Sequence, residues 1–146
     1  MDTRIAAYGV IERDGLILLS HWTEGGRWTL PGGGVEPGED PADTAVREIF
    51  EETGYTARLG GLLGIDSFVI PAAERIHGTV ALHSIQIIYA ASIVGGELVH
   101  EADGSSDEAR WFTLDEIAAL PRVRHVDVGL GLWRDRLNET GAPPIG

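Results

Sequence analysis

Glu48, Glu51 and Glu52 stand at i, i+3 and i+4. On a helix that spacing places their carboxylates on one face. Like charges at i,i+4 cost a helix about 0.2–0.5 kcal/mol per pair, and Arg47, four residues before Glu51, offsets only part of that. A hard divalent cation would relieve the repulsion and gain oxygen ligands; Mg²⁺ characteristically takes a few carboxylates together with waters and substrate phosphates. Alone, E-x-x-E-E more simply describes a solvated acidic helix face. The run Pro31-Gly32-Gly33-Gly34 lies upstream. Its glycines reach backbone conformations closed to other residues and let a ligand approach closely, so a backbone carbonyl there could join a cation's oxygen ligands. Alone, this run is only a turn.

The elements that must position these groups follow from the rest of the chain. Its 146 residues suit one domain, expected over 1–140 with a short tail at 141–146. Residues 4–12 and Leu16–Trp22 read as strands joined by an Asp14-Gly15 turn, a strong hairpin signal. A short strand is expected at 28–30 and a glycine-rich loop at 32–39. A helix is expected over 41–53, with Asp40 as its N-cap, Pro41 at its first position and Gly54 as its stop. Ala42, Ala45, Val46, Ile49 and Phe50 would be its buried stripe. Further strands are expected at 55–70, 79–94, 97–99 and 108–112, a short helix from a Thr113–Glu116 capping box, and a last helix over 126–137. This irregular mixture indicates an α+β domain.

Composition excludes several chemistries. The chain has no Cys, hence no thiol nucleophile, disulfide or Cys-ligated metal. It also has no Lys, so Schiff-base chemistry and the Lys-dependent phosphate loop are out. Its formal net charge of −12 disfavours nucleic acid and anionic membranes as partners. No signal peptide is apparent, and the uncharged stretch 78–96 reads as a buried strand because polar and β-branched residues interrupt it. A cytoplasmic protein is expected. No G-x-S-x-G elbow supports acyl hydrolysis.

Taken together, the residues from Gly33 through Glu39 and Arg47 to Tyr55 spell G-x5-E-x7-R-E-I-F-E-E-x-G-Y. This resembles the Nudix box of MutT-like hydrolases, G-x5-E-x7-R-E-U-x-E-E-x-G-U with U aliphatic. All of its fixed positions match: Gly33, Glu39, Arg47, Glu48, Glu51, Glu52 and Gly54. At a frequency of about 0.06–0.07 per residue type, a chance match at one start is on the order of 10⁻⁸ or below. Tyr55 departs from the final aliphatic position as a packing variation. The flanking GRWTLPGG and ARWFTLDEIAALP are similar to the family's flanks.

The resemblance implies a mixed β-sheet in an α/β/α sandwich with a loop–helix–loop, and hydrolysis of a diphosphate bond in a nucleoside diphosphate derivative. It implies Mg²⁺, or Mn²⁺, on Glu48, Glu51 and Glu52 with the Gly32 carbonyl, while Arg47 and Glu39 hold the glutamates and the loop; Glu48 is favoured as the group that activates water. Family members often take a further ligand from a later loop. Here the candidates are Glu101, Asp103, Asp107 and Glu108, with Glu101 preferred. For an acidic protein such a cation would invert the local charge toward a diphosphate. Arg27, Gly33 and Trp28 are candidate substrate contacts, Arg27 for a phosphate. Trp28, Trp111, Trp22 and Tyr8 could line a base cleft or pack the core; Arg75, His77 and His83 stay open. A non-catalytic nucleotide-sensing module is the alternative function. The zero-Cys composition speaks against the isopentenyl diphosphate isomerase branch. A homodimer through the strand from Thr79 is a further expectation.

Overall fold

In the computed structural model, residues 1–99 and 106–140 are described. The element order is β1 (Asp2–Arg13), β2 (Leu16–Trp22), β3 (Arg27–Thr29), β4 (Gly32–Gly34), α1 (Pro41–Thr53), β5 (Tyr55–Ile70), a 3-10 turn (Ala72–Glu74), β6 (Leu82–Gly96), β7 (Ser106–Phe112), α2 (Leu114–Ala118) and α3 (Arg124–Thr140).

Strand β1 divides the sheet. Its residues from Asp2 to Ile11 run parallel to β6, which pairs antiparallel with β5. Its other edge pairs first with β4, at Ala6–Tyr8, and then with β2, at Glu12 and Arg13. The β1–β2 hairpin turns through Asp14 (φ 54°) and Gly15 (φ 81°), the pair of positive angles a type I′ turn requires. β2 then pairs with β3 and β7.

Side-chain alternation along β1 sends Ala6, Tyr8 and Val10 to one core with Val126, Leu130 and Trp133 of α3. Ile11 faces the other core, with Ile49 of α1, Leu18 and Ala91. The helices therefore cover opposite faces, the sandwich expected from the resemblance. The α1 helix packs so closely that a Cβ on Gly9 would lie 3.0 Å from Ile49 Cδ1. Its caps are as expected: Asp40 Oδ1 accepts from the Ala42 amide, and Gly54 closes the end at φ 82°. The Thr113–Glu116 capping box also forms.

Several expectations need correction. The loop at 32–39 begins with strand β4, because glycines alone can lie against β1 at Tyr8 without steric conflict. Residues 97–99 form no strand; the Val99 amide instead donates to the Thr53 carbonyl at 2.8 Å. On α1, Phe50 is 56% exposed, and the buried face comprises Thr44, Ala45, Ile49, Glu52 and Thr53. The helix is thus rotated so that a carboxylate, not a phenyl ring, enters the interior. The last helix begins at Arg124 rather than 126. Among the described residues no helix is long and apolar enough to cross a membrane.

His125, at the start of α3, is buried and accepts a hydrogen bond at Nε2 from the Leu30 amide at 3.1 Å. Burial pushes its pKa down to about 3, with Arg4 adding to the effect. The unfolded chain binds a proton near pH 6.5 that the folded chain refuses, so this group's stabilisation is present above pH 6.5 and is lost as pH falls from there toward 3. Its share of the stability should fall by about 2 kcal/mol between pH 7 and pH 5. Denaturant unfolding at both pH values is expected to show a correspondingly smaller drop in His125→Gln, whose amide oxygen can accept the Leu30 bond without titrating.

Candidate active site

Arg47 and Glu48 on α1 face the glycines of β4. A Cβ on Gly33 would lie 2.7 Å from Glu48 Cδ, so the missing side chain leaves space that the Glu48 carboxylate uses. Gly33→Ala should push that flexible side chain away. We expect little change in stability, a loss of roughly 10-fold or more in cation affinity, and a weaker cation-induced rise in unfolding temperature, read by thermal shift.

Arg47 joins the helix to the loop. Its Nε and Nη2 hold the two oxygens of Glu39 at 2.8 and 3.0 Å, a bidentate pair. Its Nη1 reaches Glu48 at 3.0 Å and Glu51 at 3.3 Å, and its Nη2 donates to the Gly34 carbonyl at 3.4 Å. Glu39 also accepts from Thr44 Oγ1 and the Glu36 amide. Arg47 first, then Thr44, holds the Glu39 carboxyl down at about 2. The same acids push the Arg47 pKa up, Glu39 foremost.

Glu52 is only 3% exposed. Burial pushes its pKa well above the ordinary carboxylate range, and the neighbouring Glu48 charge raises it further. The Ser20 hydroxyl and the Gly32 amide face it and oppose the rise. Neither Ser20 Oγ nor Glu52 Oε1 completes a hydrogen bond among the described residues; the hydroxyl is near enough to bias the carboxyl but not placed to bond it. A buried carboxylate oxygen without a partner is costly. A hard cation accepted by Glu52 and Glu48 at the glycine strand would remove both that cost and the mutual repulsion, so these donors fit an oxygen-liganded divalent ion.

The three glutamates are not equivalent. Glu48 and Glu52 adjoin one another, whereas Glu51 is 45% exposed and turned to Arg47. Among the described residues no three His, Cys, Asp or Glu side chains are arranged as a ready-made cation cage. Glu101 and Asp103 lie outside the described residues, as does the Asp107 side chain; Glu108 is paired with Arg110 at 2.8 Å. Trp28 takes the core alternative, 8% exposed with its ring 4.8 Å from that of Phe112. Arg27 is exposed at the start of β3, where it pairs with Trp22 of β2. Arg75 bonds Asp2 and the Val80 carbonyl, His77 bonds Glu24, and His83 bonds Ser67. The Tyr55 hydroxyl accepts from both Arg13 and Trp111 at 3.2 Å, which accounts for an aromatic at the last box position.

Ser20, which faces Glu52, is not among the residues the sequence singles out: it comes from β2, outside the box, and carries no local signal.

The NUDIX domain profile matches residues 2–130. The ADP-ribose pyrophosphatase of Methanocaldococcus jannaschii is 36% identical over 119 residues, covering 80% of this chain and 65% of that protein. Diphosphoinositol polyphosphate phosphohydrolase 3-beta of Bos taurus is 51% identical over 51 residues, covering 35% of this chain and 31% of that protein. The chain therefore matches less than two thirds of the length of either relative. The crystal structure of a MutT NUDIX hydrolase from Burkholderia pseudomallei is similar at a TM-score of 0.76 and 29% identity, over 90% of this chain and 98% of that one. Together with the box on α1 and β4, the profile match shows that the chain belongs to the NUDIX domain family.

Proposed function

We propose that this chain is a divalent-cation-dependent pyrophosphohydrolase of nucleoside diphosphate derivatives, with ADP-ribose as its leading substrate. The observation that carries the reading is the buried, unpartnered Glu52 oxygen beside Glu48 and the glycine strand. The archaeal relative named for ADP-ribose supports the substrate.

Glu48 and Glu52, with the Gly32 carbonyl, would hold Mg²⁺ or Mn²⁺. Bound there, the cation would neutralise charge on the diphosphate oxygens and make water more acidic. Hydrolysis adds a water oxygen to one phosphorus and breaks the bridging P–O bond. The released proton needs an acceptor, and Glu48, 18% exposed against 3% for Glu52, is the carboxylate within reach of solvent. Arg47 aims Glu48 through a charge-assisted hydrogen bond while fixing Glu39 and the loop. Glu51 serves through Arg47.

The test incubates the protein with ADP-ribose, NADH, dinucleoside polyphosphates and nucleoside triphosphates, with Mg²⁺, with Mn²⁺ and with EDTA. The expected result is AMP and ribose 5-phosphate from ADP-ribose, only with cation. Nucleotide binding without product release would overturn the reading in favour of a sensing module.

A further inference from the structure

Strand β4 consists of three glycines and, among the described residues, pairs on one edge only, with β1. Its backbone is therefore a bare strip. Arg47 and Glu48 lie against it from α1. The guanidinium of Arg4 also lies against it: a Cβ on Gly34 would lie 3.6 Å from Arg4 Nη2, 3.9 Å from Nε and 4.0 Å from Cζ. The Nε–Nη2 side of the group is thus the part nearest the glycine backbone, while Nη1 turns to Tyr8.

The two arginines at this strip differ in commitment. Arg47 is surrounded by Glu36, Glu39, Glu48 and Glu51. Arg4 is exposed, and among the described residues no carboxylate lies within ion-pair distance of it. Its hydrogen bond is a long one, Nη1 to the Tyr8 hydroxyl at 3.4 Å, and the Tyr8 ring packs on His125 at 4.0 Å. In a chain of net charge −12, an arginine on the other face of β4 from Glu48, paired with no acid among the described residues, has its charge available for an anion. Guanidinium donors in a rigid fork match phosphoryl oxygens.

We propose that Arg4 is a substrate-binding residue that grips a phosphoryl group of the diphosphate across the edge of β4, opposite the Glu48–Glu52 pair. The assignment rests on the hydrolase reading for its place in a reaction but not for the binding itself. Arg4 holds one phosphoryl group through charge-assisted hydrogen bonds while the carboxylate side of the strip takes the cation. Tyr8, stacked on the buried His125, limits how far the guanidinium can swing.

The test is calorimetric titration of ADP, inorganic pyrophosphate and adenosine into the full chain with Mg²⁺. Arg4→Gln is expected to weaken ADP and pyrophosphate about 10- to 100-fold, the loss of one or two charge-assisted bonds, with adenosine unchanged. Arg4→Lys, which keeps the charge without the fork, should fall between, and it carries the test should Arg4→Gln fold poorly. ADP affinity within about two-fold of wild type in both variants would overturn the assignment. So would an equal loss for adenosine, or wild-type protein that binds neither ADP nor pyrophosphate. Arg4-dependent ADP binding in a protein that releases nothing from ADP-ribose would support the assignment while contradicting the hydrolase reading.

Discussion

Glu52→Gln should lower turnover by about 10³-fold or more, a loss of about 4 kcal/mol in transition-state stabilisation, while making the cation-free protein more stable. The two effects share one cause. Glu52 is buried beside Glu48, its Oε1 has no hydrogen-bond partner among the described residues, and burial raises its pKa. A carboxyl whose folded pKa lies above its unfolded value costs stability as pH rises above about 4.5, because the folded chain holds a proton that the unfolded chain releases. A neutral amide of the same shape removes that cost. We expect a gain of about 1 kcal/mol, or about 3 °C in unfolding temperature, at pH 7.5 in EDTA. Added Mg²⁺ should stabilise wild type and leave Glu52→Gln unmoved. A variant that is both inactive and less stable without cation would instead point to lost packing. Acidification should also separate the two buried titrating groups. Glu52 favours the cation-free fold as pH falls and His125 opposes it, so each single variant should expose the other's slope.

The second large effect is expected at Arg47. Arg47→Ala removes the bidentate pair with Glu39, the contacts to Glu48 and Glu51, and the bond to Gly34. It leaves three acids facing one another without a cation. The loss should be about 2 kcal/mol of stability, a magnitude suited to hydrogen bonds between charged groups on a half-buried arginine. Turnover should fall by up to about 100-fold, because Glu48 loses the group that aims it. Arg47→Lys should recover little, since an ammonium cannot bridge both Glu39 oxygens and still reach Glu48. The Glu39 carboxyl gives a second readout. It is held at about 2 chiefly by Arg47, so its titration, followed by NMR, should return toward the ordinary range in Arg47→Ala. An unmoved Glu39 would mean that Thr44 and the Glu36 amide hold it unaided.

The box spacing read directly onto the structure, because it is a local, helical pattern. Asp40, Pro41 and Gly54 mark the ends of α1, and their chemistry acts within a turn of where they stand. What the pattern did not reveal was the helix's rotation. Phe50 and Glu52 both lie near the apolar stripe, and hydropathy favours the phenyl ring. The interior takes Glu52 because Ser20 and Gly32 come from strands outside the helix and meet there. β4 was hidden for a similar reason: three glycines have no strand propensity, and pairing with β1 is a tertiary effect. Arg4 looks like an ordinary strand-end arginine until the β1–β4 register sets it on Gly34. Trp28, by contrast, had its answer in the common fate of tryptophan, which is the core.

In the proposed site Glu48 and Glu52, against the glycine strand, hold a divalent cation at which a diphosphate is cleaved. This is tested most directly by anomalous scattering from crystals soaked in Mn²⁺ with ADP. The expected result is a Mn²⁺ peak bonded to the carboxylates of Glu48 and Glu52 beside Gly32, with the diphosphate touching it. Mn²⁺ bound elsewhere, with both carboxylates free of it while ADP is present, would contradict it.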